Sequence, residues 1–158
     1  MDLTTDDWAA IHLADDATSE QPSEELYAAV LWFLGRERAV CSTTTRTDGD
    51  DGVQWTSWVL TDTRLLRAAM TVVDDFGRDV IGEVSVMAWP LRDVVLTLDA
   101  VLNATRRHQE GTTFYFDFTV RAGEHELVLR GRQAGRSARE VRENFARELR
   151  DRLHPSLQ

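Results

Sequence analysis

The chain has 158 residues, 42% of them hydrophobic and 28% charged, with a formal net charge of −9. That is the composition of one globular domain able to bury roughly 70% of its unfolded surface without a disulfide or metal staple. All 18 basic residues are arginine. The absence of lysine matches a GC-rich coding bias, and it excludes chemistry built on a P-loop or Schiff-base lysine.

The charge is unevenly placed. Residues 1–25 carry eight acids and no arginine, whereas the rest is nearly balanced, with 19 acids against 18 arginines. Such a chain is repelled by phosphate backbones and anionic lipid, so nucleic acid is excluded as a partner and membrane lipid is a poor one. No apolar run approaches the ~20 residues of a bilayer span. The acidic start lacks the basic n-region of a secretory signal. The single cysteine, Cys41, forms no internal disulfide. Together these give a cytoplasmic expectation.

Residues 1–22 read as an acidic arm. Thr5 is placed to cap a short helix carrying Trp8, Ile11 and Leu13, and Thr18 to Pro22 is linker-like. A helix follows over 23–38: Ser23 is the candidate N-cap, Glu24 and Glu25 suit the positive end of the dipole, and Gly35 stops it. Its interior (Leu26, Val30, Leu31, Phe33, Leu34) is apolar on more than one face and needs covering.

From Ala39 the period changes to two. "AVCSTTTRT" is β-rich, and Asp48 to Gly52 is a turn. "VQWTSWVL" is the next strand; Trp55 and Trp58, three apart, face opposite sides, one of them core and the other either covered by the N-terminal helix, which needs a surface to cover, or exposed for a partner. Thr61-Asp62-Thr63 then breaks an apolar segment. Aspartate and threonine close turns by bonding nearby amides, so one strand ends near Leu60 and the next begins near Arg64. In that next strand Leu66, Ala68, Met70 and Val72 share a face opposite Arg67 and Thr71. After the turn in "VVDDFGRD", the spacing sets Val80, Gly82, Val84 and Val86 inward until Trp89-Pro90 ends the strand.

Next come Val94, Leu96, Leu98, Ala100 and Leu102 alternating with Thr97, Asp99 and Asn103. Phe114, Phe116, Phe118 and Val120 alternate with Tyr115, Asp117 and Thr119, and "ELVLRG" is a last strand. Ser137 with Glu140 has the form of a capping box opening a helix, in which Val141, Phe145, Leu149 and Leu153 make a narrow stripe. Pro155 stops it.

The expected class is therefore α+β, mainly β: seven antiparallel strands in a bent sheet or partly open barrel, capped by the C-terminal helix, with an N-terminal helix and acidic arm. In this picture Phe114, Phe116 and Phe118 fill the interior.

Three stretches carry a resemblance. "SWVLTDTRLLRAAM" resembles the hairpin between the second and third strands of bacterial pleckstrin-homology-like domains. "WPLRDVVLTLDAV" is similar to their passage from fourth to fifth strand, and "SAREVRENFARELRDRL" to their closing helix. The resemblance covers about residues 39–154. It implies seven strands in two near-orthogonal sheets, a helix capping one end, and a binding scaffold rather than an enzyme. Some members bind phosphoinositides through a basic loop between the first two strands; here "RTDGDDG" stands there, with one arginine and three aspartates. The competing fold is the helix-grip type of cyclases and lipid-transfer proteins, which surrounds a cavity; Tyr115, Asp117 and Asn103 are its candidate polar residues.

Catalytic and metal-binding patterns are not found. The four histidines lack metal spacing, Asp48, Asp50 and Asp51 lack the order of a calcium loop, and Cys41 reads as a small buried hydrophobe. No catalytic residue, metal or cofactor is assigned. The expected function is non-enzymatic binding of a protein segment, or self-association, through a sheet edge or the groove beside the closing helix. The candidate contact residues are Trp8, Ile11 and Leu13 on the arm, Arg106 and Arg107 in a loop, and Arg139 and Arg142 on the helix. The charge split predicts that the arm pairs with an arginine-lined surface, its own C-terminal helix or that of a second copy.

Overall fold

In the computed structural model, which describes residues 1–105, 110–133 and 135–154, seven antiparallel strands form two sheets that do not close into a barrel. Strands β1 (Cys41–Gly49), β2 (Gly52–Leu60), β3 (Arg64–Asp75) and β4 (Arg78–Pro90) form the first, in that order. Strands β5 (Val94–Asn103), β6 (Phe114–Ala122) and β7 (His125–Arg130) form the second. Helix α1 (Thr5–Ala9) and helix α2 (Glu24–Leu34) precede the strands, and α3 (Arg136–Leu153) closes the described chain. No helix among the described residues is long and apolar enough to cross a membrane.

There are two apolar cores, one between α2 and the first sheet and one that both sheets share with α3. Leu26, Tyr27, Val30 and Leu34 of α2 pack on Trp55, Val59, Leu66, Ala68 and Met70. Phe145 and Leu149 of α3 pack on Trp58, Leu60, Leu65, Val94, Val120 and Leu129. Side chains three apart on a strand point to opposite faces. Accordingly Trp55 lies beneath α2, while Trp58 enters the α3 core and stacks on Trp89 at 6.1 Å between ring centroids.

The Thr61–Thr63 turn does more than reverse the chain. The buried Thr61 hydroxyl accepts from the Thr63 and Arg64 amides at 3.2 and 2.9 Å and donates to Glu37 at 2.7 Å. Thr63 also donates to Glu37, and Arg64 pairs with it at 2.7 Å. The hydrogen bond from Thr61 leads the contributions that hold the Glu37 carboxyl below its ordinary range. Asp62 reaches Arg152 of α3 at 3.0 Å. One turn thus anchors both the segment leaving α2 and the far end of α3.

At the β1–β2 hairpin, Gly52 has φ +125°, and a Cβ there would lie 2.1 Å from the Val72 carbonyl oxygen. Only glycine lets β2 approach β3 at this point.

Two bulges correct the sequence-based faces. Thr71 pairs with Glu83 but Val72 with Ile81, so Gly82 is stepped over. Beyond that slip the inward position passes to Ile81, and Val80, expected inward, is 44% exposed. In β5 the register shifts between Leu98 and Ala100. Ala100 and Leu102, expected inward, therefore stand opposite Asp117 and Tyr115, and Val101 takes the face of Phe116. A one-residue bulge inverts all later faces, which a strict period of two cannot reveal.

Helix starts also differ in detail. Thr4 rather than Thr5 caps α1, in a reciprocal box with Asp7. Ser23 is the N-cap of α2, but its hydroxyl points to the Met70 sulfur. The expected Ser137–Glu140 box does not form. Gly135 is the N-cap, Ser137 falls inside the first turn, and Glu140 pairs with Arg136 at 3.2 Å.

Candidate docking groove

The stripe of α3 is narrow: Ala138, Phe145, Ala146 and Leu149 are its buried residues. It seats the helix over one end of the second sheet and leaves the rest of that face uncovered. Leu96 and Leu98 of β5, with Phe116 and Phe118 of β6, line one side of a groove of about 440 Å³; Glu143, Ala146, Arg147, Arg150 and His154 line the other. The two phenylalanine rings stack with centroids 6.0 Å apart. The apolar strip runs on from the groove through Val101 and Phe114, following the strand register. Leu98 and Val101 are each 51% exposed and Phe114 is 45% exposed. Contrary to the sequence expectation, the phenylalanine row does not fill an interior: Phe118 packs in part against the α3 core and with Phe116 floors the open groove, while Phe114 lies exposed beyond it.

The rim is charged and mixed. Arg150 bridges to Asp151 at 2.7 Å. Arg147 is exposed and has no ion pair among the described residues. Glu143 is the acid of the rim.

The sequence-derived contact residues are dispersed. Ile11 and Leu13 are buried in the α2 core, which removes them from any docking surface of the folded chain. Trp8 lies in α1, and its side chain is outside the described set, as are Arg106 and Arg107. The Arg139 guanidinium lies 4.3 Å from the centroid of the Tyr115 ring, a cation–π contact worth about 0.5–1 kcal/mol at a surface. Arg142 meets Asp16 at 3.5 Å, so one acid of the arm pairs with the closing helix of the same chain.

That acid is buried. Asp16 accepts from the Thr44 amide at 3.0 Å and from the Thr43 hydroxyl. Burial pushes its carboxyl up, against the opposing pull of Thr43, Thr44 and Arg142. Neighbouring Asp15 is lowered instead: burial works against it, but bonds from the Thr18, Arg46 and Ala17 amides and the Thr18 hydroxyl prevail. The Asp16 amide also donates to the Thr44 carbonyl at 2.9 Å, and the Ser42 hydroxyl donates to the His12 carbonyl. The arm therefore occupies the outer edge of β1 between Ser42 and Arg46, closing that edge to strand addition.

A second depression, about 370 Å³, brings His12, Cys41, Ser42 and Asn144 together. A cysteine, a histidine and an asparagine invite a nucleophilic reading, but the thiolate would have to form. Burial, reinforced by the negative charge of Glu148, pushes the Cys41 thiol up to about 12. It is held protonated at neutral pH and is no nucleophile.

The polar residues of the helix-grip alternative are spent locally. Asp117 accepts from the Gly131 amide at 3.0 Å, Asn103 accepts from the Thr105 amide at 2.9 Å, and Tyr115 lies under Arg139. Among the described residues, no three histidine, cysteine or acidic side chains are placed to share a metal ion. The uncovered groove escaped the sequence reading because an alternating Phe row looks alike whether a helix seals it or stops short. Comparison with protein-family models, with curated proteins and with solved structures gives no match for this chain.

Proposed function

We propose that the chain is a non-enzymatic, cytoplasmic binding module with a pleckstrin-homology-like body, and that its ligand is an extended apolar segment of a protein, lying in the groove between β5–β6 and α3. The carrying observation is the strip of Leu98, Val101 and Phe114, about half exposed and continuous with the groove floor. Isolated exposed apolar residues are ordinary; a contiguous strip rimmed by charge marks an interaction site. The division into four and three strands with a closing helix supports the pleckstrin-homology-like reading. The β1–β2 turn, Asp50 and Asp51 flanked by glycines, offers no cation to a phosphoinositide headgroup. A helix-grip binder needs an enclosed chamber, whereas this groove opens along the strip, which favours a segment over a small molecule.

The test is selection from a displayed peptide library on the native chain and on Leu98→Glu. Leu98 is half exposed, so the charge costs the fold less than about 1 kcal/mol. Peptides rich in apolar residues are expected to enrich on the native chain and to lose at least tenfold in affinity on the variant. Equal enrichment on both sinks the groove as the binding site.

A further inference from the structure

The chain carries a projection that fits its own groove. The last β2–β3 pair is Val53–Val72, so the pairs Val73–Val80, Asp74–Asp79 and Asp75–Arg78 run on past the β2 ladder as a two-stranded ribbon. At ~3.3 Å per residue it projects about 10 Å. Its tip is Phe76, whose side chain is fully exposed, at 103% of the reference area, followed by Gly77. Both central residues have positive φ, +51° for Phe76 and +80° for Gly77. Such a two-residue turn takes Asn, Asp or Gly with ease, and a bulky residue there is rare.

Phe76 thus breaks two local rules at once, a strained backbone and a fully solvated ring, with no contact among the described residues to offset either. A residue that breaks local rules without internal gain points to function outside the chain. Val73 and Val80, directly paired behind it, are also exposed, at 37% and 44%. The ribbon carries Asp74, Asp75 and Asp79 against the one Arg78, and neither Asp75 nor Asp79 has an ion pair among the described residues. Helix α3, the wall of the groove, carries six arginines against four acids, with Arg147 unpaired among the described residues.

We propose that the occupant of the groove is the Phe76 ribbon of a second copy of this chain: the ring seats among Leu96, Leu98, Phe116 and Phe118, and the ribbon aspartates face Arg147 and Arg150. This rests on the groove being the docking site, as argued above, and names its ligand. Knob and groove lie on different sheets of each copy, so the contact is heterologous, and copies associate head to tail into a ring or an open chain. The aspartate–arginine component is screened by salt, so association weakens as ionic strength rises.

The test is sedimentation velocity of the 158-residue chain over a concentration series, with Phe76→Asn and Leu98→Glu. Asparagine accepts the left-handed turn, so the first variant keeps the ribbon and removes only the ring; the second loads the groove with an opposing charge. The native chain is expected to form oligomers that grow with concentration, and each variant alone to sediment as a monomer. An equimolar mixture of the two retains one working ribbon and one working groove, so it is expected to give a heterodimer and nothing larger. A native chain that stays monomeric to about 1 mM, or oligomers that survive Phe76→Asn, overturns the self-partner. In either case, peptides selected on the native chain and lost on Leu98→Glu would still uphold the groove, whereas an absence of both self-association and peptide binding removes the two together.

Discussion

Asp16→Ala is expected to lower the unfolding free energy at pH 7 by about 3–5 kcal/mol, the range for breaking a buried ion pair by deleting one partner. The carboxylate side chain is only 3% exposed and meets Arg142, itself 21% exposed. Its removal strands the Thr44 amide, the Thr43 hydroxyl and the Arg142 guanidinium in one event. It also loosens the arm from the β1 edge, since the Asp16 backbone pairs with Thr44. Arg142→Ala added to Asp16→Ala should cost little more, because the two act as one unit. Asp16→Asn should be milder, since its amide oxygen still accepts from Thr44. The pH dependence has a definite sign. A carboxyl raised in the folded state is penalised in its charged form, so its contribution is most favourable below the unfolded value of 3.8 and declines as pH rises through the folded value. The advantage of the native chain over Asp16→Asn should therefore narrow with rising pH across that window. Urea unfolding followed by tryptophan fluorescence reads all of these; a loss below about 1 kcal/mol for Asp16→Ala would show that the arm is not integral to the fold.

Phe145→Ala is expected to cost about 3–5 kcal/mol, the range for truncating a fully buried phenylalanine. Phe145 is completely buried and packs among Trp58, Leu60, Leu65, Val120 and Leu129, residues drawn from both sheets. With Leu149, it is a side chain through which α3 ties the sheets together. The cavity left behind is walled by strands fixed in two hydrogen-bonded ladders, so collapse around it is limited. Because α3 forms one wall of the groove, the variant should also lose ligand binding before it unfolds globally. Thermal unfolding by circular dichroism, together with peptide affinity at a temperature where the variant is still folded, separates the two effects. Native-like stability in Phe145→Ala would contradict the assigned core.

The fold was legible wherever local chemistry dictates it. Thr61-Asp62-Thr63 set the β2–β3 boundary to the residue, and the three-residue spacing of Trp55 and Trp58 gave their opposite burial. Legibility failed where the backbone slips or where placement in space decides. Gly82 and Asp99 mark bulges that alternation cannot foresee, so Val80, Ala100 and Leu102 turned out on unexpected faces. Ser137 and Glu140 have capping-box spacing, but Arg136 takes the glutamate and the helix starts two residues too early, with Gly135 as its N-cap. The acidic arm was visible as charge; that Asp15 and Asp16 bind the β1 edge was not, because the Arg46 and Thr44 amides that hold them there carry no sequence signature. The phenylalanine row was visible as apolar, but its exposure depends on where α3 ends its coverage.

The groove is tested most directly by amide chemical-shift mapping of the uniformly labelled native chain with a peptide selected on it. Perturbations are expected at Leu96, Leu98, Phe116, Phe118, Ala146, Arg147 and Arg150, with the α2 face and the β1 edge unmoved. Saturable shifts centred on Trp32 and α2, or on the Asp48–Gly52 turn, with the β5–β6 residues silent, would contradict the assignment.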